Sequence, residues 1–300
     1  MAEQLTLLRS FARVIAYGGG LDSYEVLLGC LEAGEHLDAV CFVDVADPDH
    51  EDPGEWPSTY RHLREVVRPL CERHDVPFVW LSSDRYPVRD SRSLFAWLRD
   101  RHQIPVAGPQ RICTTIAKVE RFEQWLGNTF PGYEVEVLVG FEAGEEKRAA
   151  NDPNTGGRRS GPLPGGAVRR NRFPLMERGL CRCRCEAAVR ARGLAVPRKS
   201  ACVYCPYGSK GDWQTFAREL PAWFALTEKL ESDKPLTKNG RKLSIMGYRT
   251  IKKNGAIVAV KAPPLREFIR GTYRPLKKIC PVCGGPRATK ATGCDYLAAA

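Results

Sequence analysis

The sequence predicts an α/β fold built on a doubly wound, mainly parallel sheet. Three observations carry this: short apolar runs alternate with helical patterns up to about residue 143, a triple glycine separates the first run from the first helix, and cysteine-bearing turns replace the alternation in the second half. Residues 11–17 read as a buried strand, and residues 22–33 as a helix whose Val26, Leu27, Cys30 and Leu31 share a face. Residues 37–45 form a second strand. A loop rich in Asp and Pro leads from there to a helix over 58–74, and 77–81 is a third strand. Helices follow over 91–101 and 114–126, then a strong strand over 133–140. Strands alternating with helices imply right-handed crossovers and a sheet covered on both faces. Ligands on such sheets bind beyond the carboxyl ends of the strands, here near Tyr17, Val43 and Gly140.

After Phe141 the alternation ends. Residues 144–172 are crowded with Gly, Pro, Asn and Arg and read as a mobile loop, in which the basic stretch 158–172 could grip phosphates. Short helices over 185–192 and 212–229 follow, and the stretch 234–262 reads as irregular structure with a hairpin turning at Lys253-Asn254-Gly255.

A formal charge of +11 favours phosphate-bearing partners, although arginine-rich chains without a nucleic-acid partner share it. No apolar run is long enough to span a bilayer, and residues 1–11 lack the parts of a secretory signal, so a cytoplasmic protein with no membrane partner is expected. Twelve cysteines in such a chain point to metal or redox chemistry rather than a disulfide framework. Cys30, Cys41 and Cys71 stand singly in apolar segments and read as buried structural thiols.

The sharpest local signal is Tyr17-Gly18-Gly19-Gly20-Leu21-Asp22-Ser23. Missing side chains let backbone N–H groups approach a ligand, and a helix N-terminus follows at once, a geometry that suits a pyrophosphate. Ser23 adds a hydroxyl, and Asp22 could cap the helix or orient a metal ion or a substrate amine. Glycines that serve only close packing are the plain alternative. The spacing is neither that of a Walker A loop nor the dinucleotide G-x-G-x-x-G.

Gly19-Gly20-Leu21-Asp22-Ser23 resembles the S-G-G-x-D-S signature of the PP-loop ATP pyrophosphatases, with Gly18 in place of the first serine. Arg111-Ile112-Cys113-Thr114 followed by Lys118 is similar to the R-x-C-T…K segment of the phosphoadenosine phosphosulfate (PAPS) reductase-like branch. Phe173-Pro174-Leu175 and Lys199-Ser200-Ala201-Cys202-Val203-Tyr204-Cys205-Pro206 resemble the same branch as found in phage and bacterial proteins and in DNA phosphorothioation enzymes. The resemblance covers about residues 11–220 and implies an adenine nucleotide alpha-hydrolase-like, HUP-type fold. It further implies that Arg111 and Lys118 neutralise nucleotide phosphates and that Glu145 positions substrate or metal. Glu142 stands where the family carries an arginine. Asp44 and Asp47 follow the second strand near the expected cleft, where acidic loop residues are commonly just solvated.

Cys202-x2-Cys205 presents two thiolates to one ion. The resemblance makes Cys113 the third ligand of a [4Fe-4S] cluster, leaving one iron open or closed by Cys185, less readily by Cys183; structural zinc is the competing occupant. Cys181, Cys183 and Cys185 alternate with arginines, which favour thiolate. Cys280-Pro281-Val282-Cys283-Gly284-Gly285 looks like a zinc knuckle, to which Cys294 adds a third ligand and Asp295 or one of the 181–185 cysteines a fourth.

The expected units are residues 1–143 as a nucleotide-binding α/β domain, 144–172 as the basic loop, 173–232 as a cysteine-rich part completing the active site, and 233–300 as a C-terminal region with the knuckle. The expected function is an ATP- and Mg2+-dependent adenylating sulfurtransferase. It would act on a base of tRNA or DNA, with sulfide or a cysteine desulfurase as sulfur donor; a homodimer is compatible with this. Three alternatives stand beside it. A sulfonucleotide reductase usually carries a C-terminal E-C-G-x-H segment, and this chain has none. An ATP-dependent amide or C–N bond-forming enzyme would use an amine in place of sulfur. A non-enzymatic zinc protein binding nucleic acid would leave the glycine turn unexplained.

Overall fold

A computed structural model of the chain describes residues 10–46, 52–106, 112–150, 163–236, 240, 243–254, 256–261, 263–272 and 279–284. Strands β1 (Phe11–Ala16), β2 (Ala39–Val43), β3 (Phe78–Leu81), β4 (Glu134–Val139) and β5 (Val168–Arg172) form one sheet in the order β3-β2-β1-β4-β5. Every pairing in it is parallel. This is the α/β, doubly wound sheet that the alternating pattern predicts.

Both faces of the central strands are apolar, which is why these strands carry few polar residues. Ile15, Val40, Phe42 and Leu138 point into one core layer with α1 (Leu21–Glu32). Ala12, Val14, Cys41, Val135 and Val137 point into the other, against Phe122, Trp125 and Leu126 of α6 (Glu120–Thr129). Chain direction across the sheet reverses at β1, which is flanked by β2 on one side and β4 on the other. The space above the carboxyl ends of β1 and β4 is therefore the crevice such sheets leave for a ligand.

The helix expected over 58–74 is α2 (Pro57–His62), a π-helical turn (Leu63–Val67) and α3 (Arg68–Arg73) in succession. Pro69 has no N–H and its ring crowds the preceding turn, so a wider turn just before it relieves the clash. A second π-helical turn (Thr115–Val119) joins α5 (Ile112–Thr114) to α6 and carries Lys118. Between β3 and that region lies α4 (Leu94–Asp100), capped by the Ser93 hydroxyl.

The polar edge strand β5 corrects the reading of 144–172 as loop throughout. Val168–Arg172 pairs in register with residues 134–138 of β4, and α7 (Glu146–Ala150) also falls in the stretch. The open edge of β4 supplies the strand conformation that an Arg- and Asn-rich sequence does not announce. Residues 151–162, which include part of the expected basic grip, lie outside the described residues.

Beyond the sheet, α8 (Pro174–Glu177) and α9 (Arg182–Ala191) lie against α1, with Leu175, Cys185 and Val189 in its core layer. The helices α10 (Lys210–Glu219) and α11 (Pro221–Ser232) build a second core with α4, Trp56, Val203 and Tyr204. The predicted hairpin is β6 (Tyr248–Lys253) and β7 (Ala256–Lys261), antiparallel, with Asn254 at φ 49° in its turn. A last short helix, α12 (Leu265–Phe268), is tied to α11 by Glu231, which accepts hydrogen bonds from the Ile245 and Leu265 amides. Among the described residues no helix is long and apolar enough to cross a membrane.

Candidate nucleotide and metal sites

The glycine turn stands at the crevice where the sheet order reverses. Gly19 takes φ +77°, a conformation L side chains rarely adopt, and Gly20 flanks the first turn of α1. The Ser23 hydroxyl accepts from the Gly18 amide at 3.2 Å and donates to the Gly20 carbonyl at 3.0 Å, so it braces the turn from within. Gly140, just past β4, packs against this turn: a Cβ there would lie 2.8 Å from the Ser23 nitrogen. The turn is also covered from two other segments. A Cβ at Gly19 would meet Thr59 Cγ2 at 2.7 Å, and one at Gly20 would meet Ser200 Oγ at 2.9 Å.

Asp22 is held by Arg182, whose Nη1 donates to Asp22 Oδ2 at 2.7 Å. Burial pushes the Asp22 carboxyl up to about 6; Arg182 opposes this, and Glu142 and Glu145 add to it. Its Oδ1 is buried with no hydrogen-bond partner among the described residues. Such an oxygen suits a cation or an amine donor.

The remaining expected nucleotide contacts are distributed differently. Tyr17 is buried, its hydroxyl 3.0 Å from His62 Nε2, and Val43 packs into the α6-side core. Glu145 pairs with Arg148 at 2.9 Å, and Glu142 accepts the Arg182 amide. Arg111 and Asp47 lie outside the described residues. Lys118 donates from Nζ to Glu55 Oε1 at 2.8 Å, and Glu55 itself is fully buried, its Oε2 without a partner among the described residues. Burial opposes the Lys118 charge, but Glu55 and Cys202 beside it hold the ammonium above the usual lysine range. The sequence reading gives no contact at the glycine turn to Glu55, Thr59, Arg182 or Ser200, because each reaches its partner across a long stretch of chain.

Asp44 is not a solvated loop residue. It is 0% exposed and accepts from the Tyr60 hydroxyl at 2.8 Å, the Ala46 amide at 3.1 Å and Trp80 Nε1 at 3.1 Å. Burial outweighs these donors and lifts its carboxyl from 3.8 to about 6. The folded value lies above the unfolded one, so the native state binds more protons between the two. Asp44's contribution to stability is therefore full below the lower value and lost as the pH rises through about 6. Asp44→Asn should flatten the fall of the urea midpoint across that window by roughly 2–3 kcal/mol of stability. An identical slope in both proteins would mean that Asp44 titrates normally.

Two cysteine groups emerge. Cys113, Cys202 and Cys205 are half-buried in α5 and the turn before α10; burial raises all three thiols, with the Cys205 charge next at Cys113, which reaches about 11, and the Glu55 charge next at Cys202. The Cys202 segment is pinned by a backbone bridge to Glu55 and by the Val203 amide donating to the Gly54 carbonyl at 2.9 Å. Cys185, expected as a fourth ligand here, is instead fully buried in the α1 core, where Val189 one turn on marks the same inward face.

The second group is Cys181, Cys183, Cys280 and Cys283, whose sulfurs all lie within 4.8 Å of one another. This four-thiol set could hold a metal ion. Cys280 is pulled down to about 6 by the Cys283 and Val282 amides, the hydrogen-bond pattern that stabilises a thiolate in a knuckle. Gly284, at φ +69°, closes that turn with its amide on the Cys280 carbonyl at 3.0 Å. Two cysteines of the 181–185 run thus complete the set with Cys280 and Cys283; Cys294 and Asp295 lie outside the described residues.

No protein-family model matches the chain, and no curated protein does. Among solved structures it is similar to the U34-tRNA thiolase NcsA from Methanococcus maripaludis with its [4Fe-4S] cluster, at a TM-score of 0.41 and 11% identity, over 75% of this chain and 72% of that one.

Proposed function

We propose that the chain is an adenylating sulfurtransferase of the PP-loop kind, which uses ATP to replace a carbonyl oxygen on a tRNA or DNA base by sulfur. The observation that carries this reading is that Ser200, two residues before Cys202, lies against Gly20 in the glycine turn. Anion-binding amides and a group of thiols therefore border one crevice.

In this reading the amides of residues 18–20, the N-terminus of α1 and Ser23 bind the leaving pyrophosphate. Asp22 Oδ1 orients Mg2+ or the substrate, Arg111 neutralises phosphate charge, and Lys118 exchanges Glu55 for a phosphate oxygen. The substrate oxygen attacks the α-phosphorus and pyrophosphate departs. Sulfide then adds to the activated carbon and AMP leaves with the oxygen; where a cysteine desulfurase is the donor, its persulfide sulfur attacks and a second thiol cleaves the resulting S–S bond, ending as a disulfide. Cys113, Cys202 and Cys205 suit a [4Fe-4S] cluster with one iron free of protein ligands, because three thiols gather there beside an unpartnered buried carboxylate oxygen. Bound there, the cluster would supply sulfur chemistry at the open iron. The set of Cys181, Cys183, Cys280 and Cys283 is assigned structural zinc.

Anaerobically purified protein should contain about four iron atoms per chain, with iron falling to background in Cys113→Ala and Cys202→Ala. Iron unchanged in both variants would remove the cluster from the reading. ATP should raise the melting temperature, and the absence of any rise would remove the nucleotide.

A further inference from the structure

We infer that the zinc ion held by Cys181, Cys183, Cys280 and Cys283 has a positional role: it fixes the backbone on both sides of Arg182 and so keeps that guanidinium on Asp22 in the glycine turn. The zinc and the nucleotide both rest on the proposed function; the link between them goes beyond it.

Four thiolates within 4.8 Å of one another fit a single tetrahedral ion, and an all-sulfur set favours zinc over the hard cations that ATP chemistry uses. Cys181 immediately precedes α9 and Cys183 is its second residue, so two ligands bracket one residue, Arg182. Two metal–sulfur bonds so close in the chain restrict the dihedrals of the residue between them. The Arg182 amide is held by Glu142, and its side chain reaches Asp22 at 2.7 Å while only 15% exposed. The knuckle packs on the turn after β4 as well: a Cβ at Gly144 would stand 3.1 Å from Val282 Cγ2. The ion thus joins the knuckle to the start of α9, and Val282 seats the knuckle on the turn that follows β4. Arg182 is a positioning residue in this scheme, since it acts through Asp22.

Cys283 is exposed, so Cys283→Ser removes a ligand without opening the core. In protein free of nucleotide, Cys283→Ser should lose its zinc, and hydrogen exchange over residues 18–24 should quicken roughly tenfold, the scale of one charge-assisted hydrogen bond. Arg182→Ala should quicken the same peptide equally while keeping full zinc. Cys283→His, which restores a ligand, should recover both zinc and protection. Full zinc in Cys283→Ser would overturn the site. Zinc lost with protection of residues 18–24 unchanged would overturn the link. Because no nucleotide is present, ATP affinity measured on the unaltered protein reports on the nucleotide reading alone.

Discussion

Arg121→Met is expected to lower the free energy of unfolding by about 3–5 kcal/mol. Arg121 is 2% exposed on α6, and its guanidinium donates to four main-chain carbonyls: Tyr86, Asp44, Ala117 at 3.0 Å and Leu81 at 3.3 Å. Asp44 and Leu81 stand at the carboxyl ends of β2 and β3; the Leu81 carbonyl also accepts the Asp44 amide at 3.1 Å, so Arg121 adds a second donor there. One side chain therefore satisfies the exits of two adjacent strands. Methionine fills much of the volume but takes the guanidinium donor from the Tyr86 and Asp44 carbonyls, at about 1–3 kcal/mol for each that water does not reach. Arg121→Lys should recover only part, because an ammonium lacks the planar fork that spans the acceptors. Urea unfolding at neutral pH reads the loss. A change below about 1 kcal/mol would show that the carbonyls find other donors.

The second large effect is expected at Gly140. A methyl group there would stand 2.8 Å from the Ser23 nitrogen, 3.0 Å from the Asp22 carbonyl carbon and 3.1 Å from Ser23 Cα. All three are backbone atoms of the first turn of α1, so no side-chain rotation relieves the overlap and the turn itself must move. Overpacking of this kind costs about 2 kcal/mol. On the proposed reading, displacement of the amides of residues 18–20 should weaken ATP binding by roughly 30-fold in Gly140→Ala. Calorimetric titration with ATP tests this, with Gly132→Ala as a control: Gly132 lies in the turn between α6 and β4, at the other end of that strand, and no described atom beyond its chain neighbours lies within 4 Å of a Cβ built there, although its φ of +76° makes alanine locally strained. Equal ATP affinity in Gly140→Ala and the unaltered protein would show that the β4 end does not shape the turn.

The strands that specify the sheet are legible because they are apolar on both faces: FARVIA and AVCFV leave little alternative to a buried parallel strand. Strand β5 is not, since VRRNR has no apolar face and acquires its conformation from the edge it joins. At the candidate site, the glycine turn and the cysteine spacings are local and can be read directly. Partner choice is not local. Lys118 is a plausible phosphate cation by type and place, but Glu55, 63 residues earlier, claims it. The run of Cys181, Cys183 and Cys185 announces thiol chemistry, whereas the division of labour within it follows from helix periodicity: Cys185 and Val189 share the inward face, which turns Cys185 away from any ligand set. That signal was present in the spacing. The pairing of 181 and 183 with 280 and 283 had no such signal, because only the folded chain brings segments about a hundred residues apart together.

The position of β1 between β2 and β4 also sets the order in which the crevice can come into being. Its partner β2, and β3 beyond that, follow within residues 39–81, so that half of the sheet can pair as soon as a short length of chain has left the ribosome. The pairing with β4 must wait for residue 139. Closing that longer loop is slower and comes later in synthesis. The wall that Gly140 contributes is thus added to a glycine turn already formed, and nascent chains stopped short of β4 would display the turn with one side missing.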